Sequence, residues 1–172
     1  MSELKMNREK LLDKLGERWL FEKRTVTLYD QILKKLEALE FEGDVSKLQQ
    51  FRQQEYDHQR SLETYIKQCG SNIRKRTPSQ RAVEIESQAF ENIIADTDDP
   101  AQLLHVLLDA EMDDNASWEL LIQLARRAGQ TDFIDAFQEA MEHERQHLRT
   151  VRNLILRLAR RELVEQVSMQ EA

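Results

Sequence analysis

Two stretches of this chain read Glu-x-x-His: Glu55-Tyr56-Asp57-His58 and Glu144-Arg145-Gln146-His147. Residues three apart share one face of a helix, so each stretch offers a carboxylate and an imidazole side by side. Two further glutamates, Glu22 and Glu111, stand upstream of them at matching places. Carboxylate mixed with imidazole suits iron or manganese, and zinc on ligand type alone. The chemistry expected of these six residues is the binding of two metal ions, with iron ahead of manganese.

Either motif alone is weak. With 20 Glu in 172 residues, a Glu falls three before a given His by chance about one time in eight. The spacing carries more weight. Glu22 and Glu55 are 33 residues apart, and so are Glu111 and Glu144, which makes the two halves pseudo-repeats offset by 89. The same offset superposes Tyr29 on Trp118, Ile32 on Leu121, Leu48 on Phe137 and Arg60 on Arg149. Ala38-Leu39 and Arg127-Ala128 lie midway between the paired glutamates, so antiparallel hairpins would bring Glu22 level with Glu55 and Glu111 level with Glu144. Four carboxylates in one layer repel, and desolvating each costs on the order of several kcal/mol. Two divalent ions would offset four negative charges. The competing readings are acids that snorkel to water, or a bundle that keeps the residues and holds no metal.

The elements that must position these residues are helices. Apolar residues make up 40 % of the chain and charged residues 33 %, with only four Gly and two Pro to punctuate it. An N-cap at Asn7 predicts a first helix to about Leu39. A capping box at Ser46-Lys47-Leu48-Gln49 predicts a second, stopped by Gly70. Pro78 and Pro100, each at a first helical position, open a shorter helix to about Ala95 and a long one to near Gly129. Thr131 is the expected cap of a last helix to around Val164, with a frayed tail over about 166–172. Apolar seams at alternating three- and four-residue steps run along the long helices. The first reads Leu12, Leu15, Trp19, Glu22, Val26, Tyr29, Leu33, Leu36. The second reads Leu48, Phe51, Glu55, His58, Leu62, Tyr65, Cys69. The next long helix carries Leu104, Leu107, Glu111, Asp114 or Asn115, Trp118, Leu121 and Ala125. The last carries Phe133, Phe137, Ala140, Glu144, His147, Val151, Leu154 and Leu158. The fold class expected is all-α: one antiparallel four-helix bundle over residues 1–172, two hairpins joined by a long crossover (about 71–99) that contains an extra short helix.

Other classes are disfavoured. A net charge of −7 argues against nucleic acid as a partner, and Arg74-Lys75-Arg76 reads as a solvated connection. No apolar run approaches the roughly 18 residues of a membrane span, and the N-terminus lacks a signal-peptide pattern, so the expected location is cytoplasmic with no membrane partner. Cys69, the single cysteine, excludes an internal disulfide. Asp114, one turn from Glu111, is a candidate outer partner or extra ligand, with polar lining the commoner role for it and for Asn115. His143 reads as a partly exposed helix position, His105 lies off the ligand face, and Glu84, Glu86 and Glu91 belong to a solvated face of the crossover.

The order Glu, Glu-x-x-His, Glu, Glu-x-x-His, spread over essentially the whole chain, resembles the ferritin-like superfamily of di-iron carboxylate proteins, particularly its rubrerythrin and bacterioferritin branch. That resemblance implies Glu55 and Glu144 as bridging carboxylates, with Glu22 and His58, and Glu111 and His147, as terminal ligands. Tyr29 matches a tyrosine beside the di-iron centre in bacterioferritins, which implies a redox-active or lining role; a plain core aromatic is the alternative. Tyr56 stands where bacterioferritin has its haem-ligating methionine, so no haem is expected. Rubrerythrins carry a cysteine-rich electron-donor domain; with one cysteine here, an external donor protein is implied. The crossover is longer than in bacterioferritin, and no short fifth helix of the cage-closing kind stands out, so a homodimer or small homo-oligomer is expected over a storage shell. The implied activity is a di-iron oxidoreductase that oxidises Fe(II) with dioxygen or reduces peroxide. An iron- or manganese-binding or storage protein without turnover, and a manganese catalase-like enzyme, remain open beside it.

Overall fold

Five α-helices and one 3-10 turn make up the computed structural model, which describes the backbone of residues 3–170 and the side chains of residues 7–161; no strand occurs among them. In chain order they are α1 (Glu3–Ala38), α2 (Val45–Gln68), α3 (Gln80–Asp96), α4 (Pro100–Arg127), the 3-10 turn (Thr131–Phe133) and α5 (Ile134–Gln170). The main packing is α1 on α2 and α4 on α5, with α1 also against α4 and α3 laid along α1. The first pair is antiparallel: Arg8, early in α1, donates to the carbonyl of Cys69 just past α2 at 3.0 Å, and Arg52 pairs with Asp30 at 2.9 Å. The chain is thus an all-α bundle in which two hairpins are joined by a crossover bearing a short helix.

The caps explain most of the boundaries, with four corrections. Asn7 lies inside α1 and does not cap it; its amide donates instead to the carbonyl of Arg127 at 3.4 Å. The cap of α2 is Asp44, whose carboxylate accepts from the Lys47 amide at 3.1 Å, while Ser46 sits within the helix and donates to Asp44. Aspartate outcompetes serine here because a charged acceptor also favours the positive helix N-terminus. Thr131 opens a 3-10 turn rather than α5 itself, and α5 runs to Gln170, so the expected end near Val164 and the frayed tail from about 166 are not seen as far as Gln170; residues 171–172 lie outside the described residues. Pro78 lies in the turn before α3 rather than at its first position, since the helix begins at Gln80 after Ser79. The remaining signals hold. Asp99 caps α4 through the Ala101 amide at 2.8 Å, with Pro100 in the first turn, and Gly70 and Gly129 end their helices at φ +73° and +70°, where glycine has no Cβ penalty.

The seam of α4 matches the expected residues; in α2 Ile66 is buried where Tyr65 is expected, in α5 Leu158 is only partly buried, and the seam of α1 is shifted. Its buried positions include Leu11, Leu15, Arg18, Phe21, Glu22, Thr25, Val26, Leu28, Tyr29, Ile32 and Leu36, whereas Leu12, Trp19 and Leu33 are only partly buried. The shift follows from α1 facing three neighbours, α2, α4 and α3, so that polar Arg18 and Thr25 are enclosed.

The core falls into two apolar clusters. One gathers Phe21, Leu28, Ile32, Leu36, Phe51, Leu104 and Val151; the other gathers Leu11, Leu62, Trp118, Leu121, Phe133 and Phe137. Between them lies the layer of Glu22, Glu55, Glu111 and Glu144. The crossover is tied to α1 just beside this layer. Asp13 accepts from the amide and hydroxyl of Ser79, and the buried Gln80 amide donates to the Gly16 carbonyl at 2.9 Å. Gly16 permits that approach, since a Cβ there would meet the Thr77 methyl at 2.7 Å. Among the described residues no helix is long and apolar enough to cross a membrane.

Candidate metal centre

Each long helix brings its acid to the bundle axis because the apolar residues one and two turns away on the same face are fixed in the core. Glu22, Glu55, Glu111, Glu144 and His147 are fully buried, and His58 retains 7 % exposure. The six residues singled out from the sequence meet at one place. They form two overlapping groups of ligand atoms: Glu22, Glu55, His58 and Glu144, and Glu55, Glu111, Glu144 and His147, each within 4.8 Å of one another.

Glu55 and Glu144 belong to both groups and divide their oxygens between them. His58 Nδ1 lies 2.9 Å from Glu144 Oε1 and 4.0 Å from Glu55 Oε2, with Glu22 Oε2 at 3.9 Å. His147 Nδ1 lies 3.0 Å from Glu55 Oε1, 3.2 Å from Glu144 Oε2 and 3.3 Å from Glu111 Oε2. Both oxygens of Glu22 and Oε2 of Glu55 make no hydrogen bond to the protein, and those of Glu144 and Oε2 of Glu111 have only the two histidine nitrogens close by. Buried carboxylate oxygens without donors are costly unless a cation or a proton meets them. Buried Glu and His side chains so arranged could hold a metal ion.

The electrostatics report the same crowding. Burial, with Glu144 adding to it, pushes the Glu55 carboxyl up to about 8, and burial raises Glu111 to about 7 against the pull of His147. Burial and Glu55 hold Glu22 well above the carboxylate range. Glu144 moves the other way: burial would raise it, but His147 and His58 together hold it far below that range. For His147 burial favours the neutral ring, yet Glu111 and Glu144 outweigh it and drive the imidazole well upward. The layer thus keeps protons on some carboxyls and on His147 in order to exist without another cation.

Four residues beside the six were ranked low or passed over in the sequence. Gln54 Oε1 accepts from His147 Nε2 at 2.9 Å, and His143 Nδ1 lies 3.1 Å from His58 Nε2. Both contacts turn the Nδ1 atoms toward the carboxylates and fix the two rings in that orientation. Gln54 and His143 each directly precede a motif glutamate and are related by the 89-residue offset; each serves the histidine of the opposite helix. His143 is partly exposed as expected but is not idle. It and His58 line a cavity of about 280 Å³ together with Trp118 and Phe137. Asp114, not Asn115, takes the buried seam position, and Asn115 donates to the Glu111 carbonyl at 2.8 Å. Arg18, only 2 % exposed, pairs with Asp114.

Tyr29 is buried and donates from its hydroxyl to Glu111 Oε1 at 2.5 Å. Burial and the Glu111 carboxylate lift its phenol well above the usual value, so it stays a proton donor. Its counterpart in the other half, Trp118, sets its ring edge-on to His58 with centroids 5.5 Å apart. His105 is exposed, and Cys69 is buried with a free thiol.

Comparison of the chain with protein-family models, with curated proteins and with solved structures returns no match.

Proposed function

We propose that this chain is a di-iron carboxylate oxidoreductase of ferritin-like type, related to the rubrerythrin and bacterioferritin branch, that oxidises Fe(II) with dioxygen or reduces peroxide. The observation that carries the reading is the sharing of Glu55 and Glu144 between two buried carboxylate–histidine groups. In this reading Glu55 and Glu144 would be shared by two ions, Glu22 and His58 would help hold one, and Glu111 and His147 the other. Two bound iron ions would supply the electrons for reducing dioxygen or peroxide.

The chain's own residues do the rest. The two apolar clusters exclude bulk water from both ends of the layer. Gln54 and His143 hold the imidazoles with Nδ1 inward, and Tyr29 keeps a proton on its hydroxyl beside Glu111, where it steadies that carboxylate. The protons held by Glu55 and Glu111 leave as cations arrive, so metal uptake releases acid. Haem plays no part in this account; reducing equivalents come from an external donor protein, and the working form is a homodimer or small homo-oligomer.

The test is anaerobic loading with Fe(II), followed by dioxygen or peroxide, while consumption of the oxidant is measured. Turnover in the wild type, abolished by Glu55→Ala and by Glu144→Ala without loss of helical circular dichroism, supports the reading. Full activity in both variants overturns it. Tight uptake of iron or manganese with no oxidant consumed makes the site one that holds metal rather than one that turns over, and catalysis by the manganese form alone points to a catalase-like enzyme.

A further inference from the structure

The two halves of the layer are not equivalent, and one difference is a charge pair. The 89-residue offset aligns Asp114 with Thr25 and Arg18 with Leu107. The second half therefore has an additional acid that the first lacks, and the first has a base where the second is apolar.

Both members of this pair are enclosed. Asp114 is fully buried on the same face of α4 as Glu111, and its Oδ2 has no hydrogen-bond donor. Arg18 Nη2 lies 3.1 Å from Asp114 Oδ1, its Nε 3.5 Å from Glu22 Oε1 and its Nη1 3.4 Å from Asp113 Oδ2. The guanidinium carbon stands 3.9 Å from the centre of the Phe21 ring, which fixes the plane of the group. Beyond it a cavity of about 150 Å³ runs between α1, α3 and α4, lined by Lys14, Glu17, Glu86, Asp113 and Ser117 among others. Arg18 is thus the wall between that cavity and Glu22.

Asp114 stands one helical turn from Glu111 but outside both groups of candidate ligand atoms, and without Arg18 its carboxylate would be free to turn toward them. We infer that Arg18 is a fixed internal cation that holds Asp114 back from the metals, so that the site offers four carboxylates rather than five to two divalent ions. The charges then close: five acids, Glu22, Glu55, Glu111, Glu144 and Asp114, stand against one guanidinium and two divalent ions. Arg18 also touches Glu22, so it competes with the ion there unless Asp114 occupies it. Arg18 and Asp114 are positioning residues in this account. The inference rests on the metal reading above.

The test is a double-mutant cycle read by anaerobic Co(II) titration, with affinity and the visible ligand-field spectrum as readouts. Asp114→Asn leaves Arg18 uncompensated beside Glu22, and is expected to weaken Co(II) binding by about tenfold to a hundredfold. Arg18→Gln/Asp114→Asn removes both charges and is expected to return the affinity to within about threefold of wild type. Arg18→Gln alone frees Asp114 and is expected to lower the Co(II) band intensity as an oxygen ligand is added. Should Arg18→Gln fail to fold with its acid uncompensated, the other two variants still decide. Wild-type affinity in Asp114→Asn, or a double variant as weak as Asp114→Asn, overturns the inference while leaving the metal site intact. Wild-type protein that takes up no Co(II) removes the metal reading itself and this inference with it.

Discussion

At the scale of single residues, the site is a set of buried acids whose partners were chosen for direction rather than strength. Gln54 is neutral, yet its carbonyl oxygen sets which nitrogen of His147 meets Glu55, Glu111 and Glu144. Gln54→Ala is expected to weaken metal binding by about tenfold or more while leaving thermal unfolding of the chelated chain within a few degrees; unchanged affinity in a metal titration would remove its orienting role. The six candidate ligands were legible in the sequence because their types and equal spacings repeat. Gln54, His143 and Arg18 were not, for a physical reason: amide, imidazole and guanidinium at such positions are ordinary surface residues until a neighbouring helix covers them. Only the repeat offset that pairs Gln54 with His143 left a trace of two of them.

At the scale of helices, period and punctuation carried the reading. Pro100 and Asp99, Gly70 and Gly129 mark boundaries whose backbone requirements few other residues meet. Where the reading slipped, a competing group won: Asp44 displaced Ser46 as a cap, and α1 turned its seam by about one residue because α3 covers a third side. That covering depends on a close approach no pattern announces, Gly16 against Thr77. Gly16→Ala is expected to destabilise the chain by about 1 to 3 kcal/mol, because the Thr77 methyl must move while Gln80 and Asp13 hold the crossover in place. Equilibrium urea unfolding measures this, and a variant as stable as wild type would mean that the crossover is loosely seated.

At the scale of the whole molecule, a bundle of net charge −7 places four seam glutamates in one internal layer, with Asp114 beside them. Without added cations the layer retains protons that the unfolded chain would release. Glu55 at about 8 and Glu111 at about 7 lie above the unfolded value of 4.5, and Glu22, Asp114 and His147 are raised as well. The folded state therefore binds more protons than the unfolded one between these values, and stability falls as pH rises. The contribution of Glu55 and Glu111 is fully present below about pH 4.5 and is lost as pH climbs through about 7 and 8. Glu144, shifted downward, adds its loss only below 4.5. The chelator-stripped chain is expected to melt lower at pH 8 than at pH 6, and saturating metal to reverse that order; melting curves at the two values, with and without metal, check it. The proposed centre is tested more directly still: two ions would share Glu55 and Glu144. Native mass spectrometry of the stripped chain, loaded anaerobically with Fe(II), is expected to show about two ions per chain, and none bound tightly once both residues are changed to Gln. A wild-type chain that stays at its bare mass, or a double variant that still carries two ions, would contradict it.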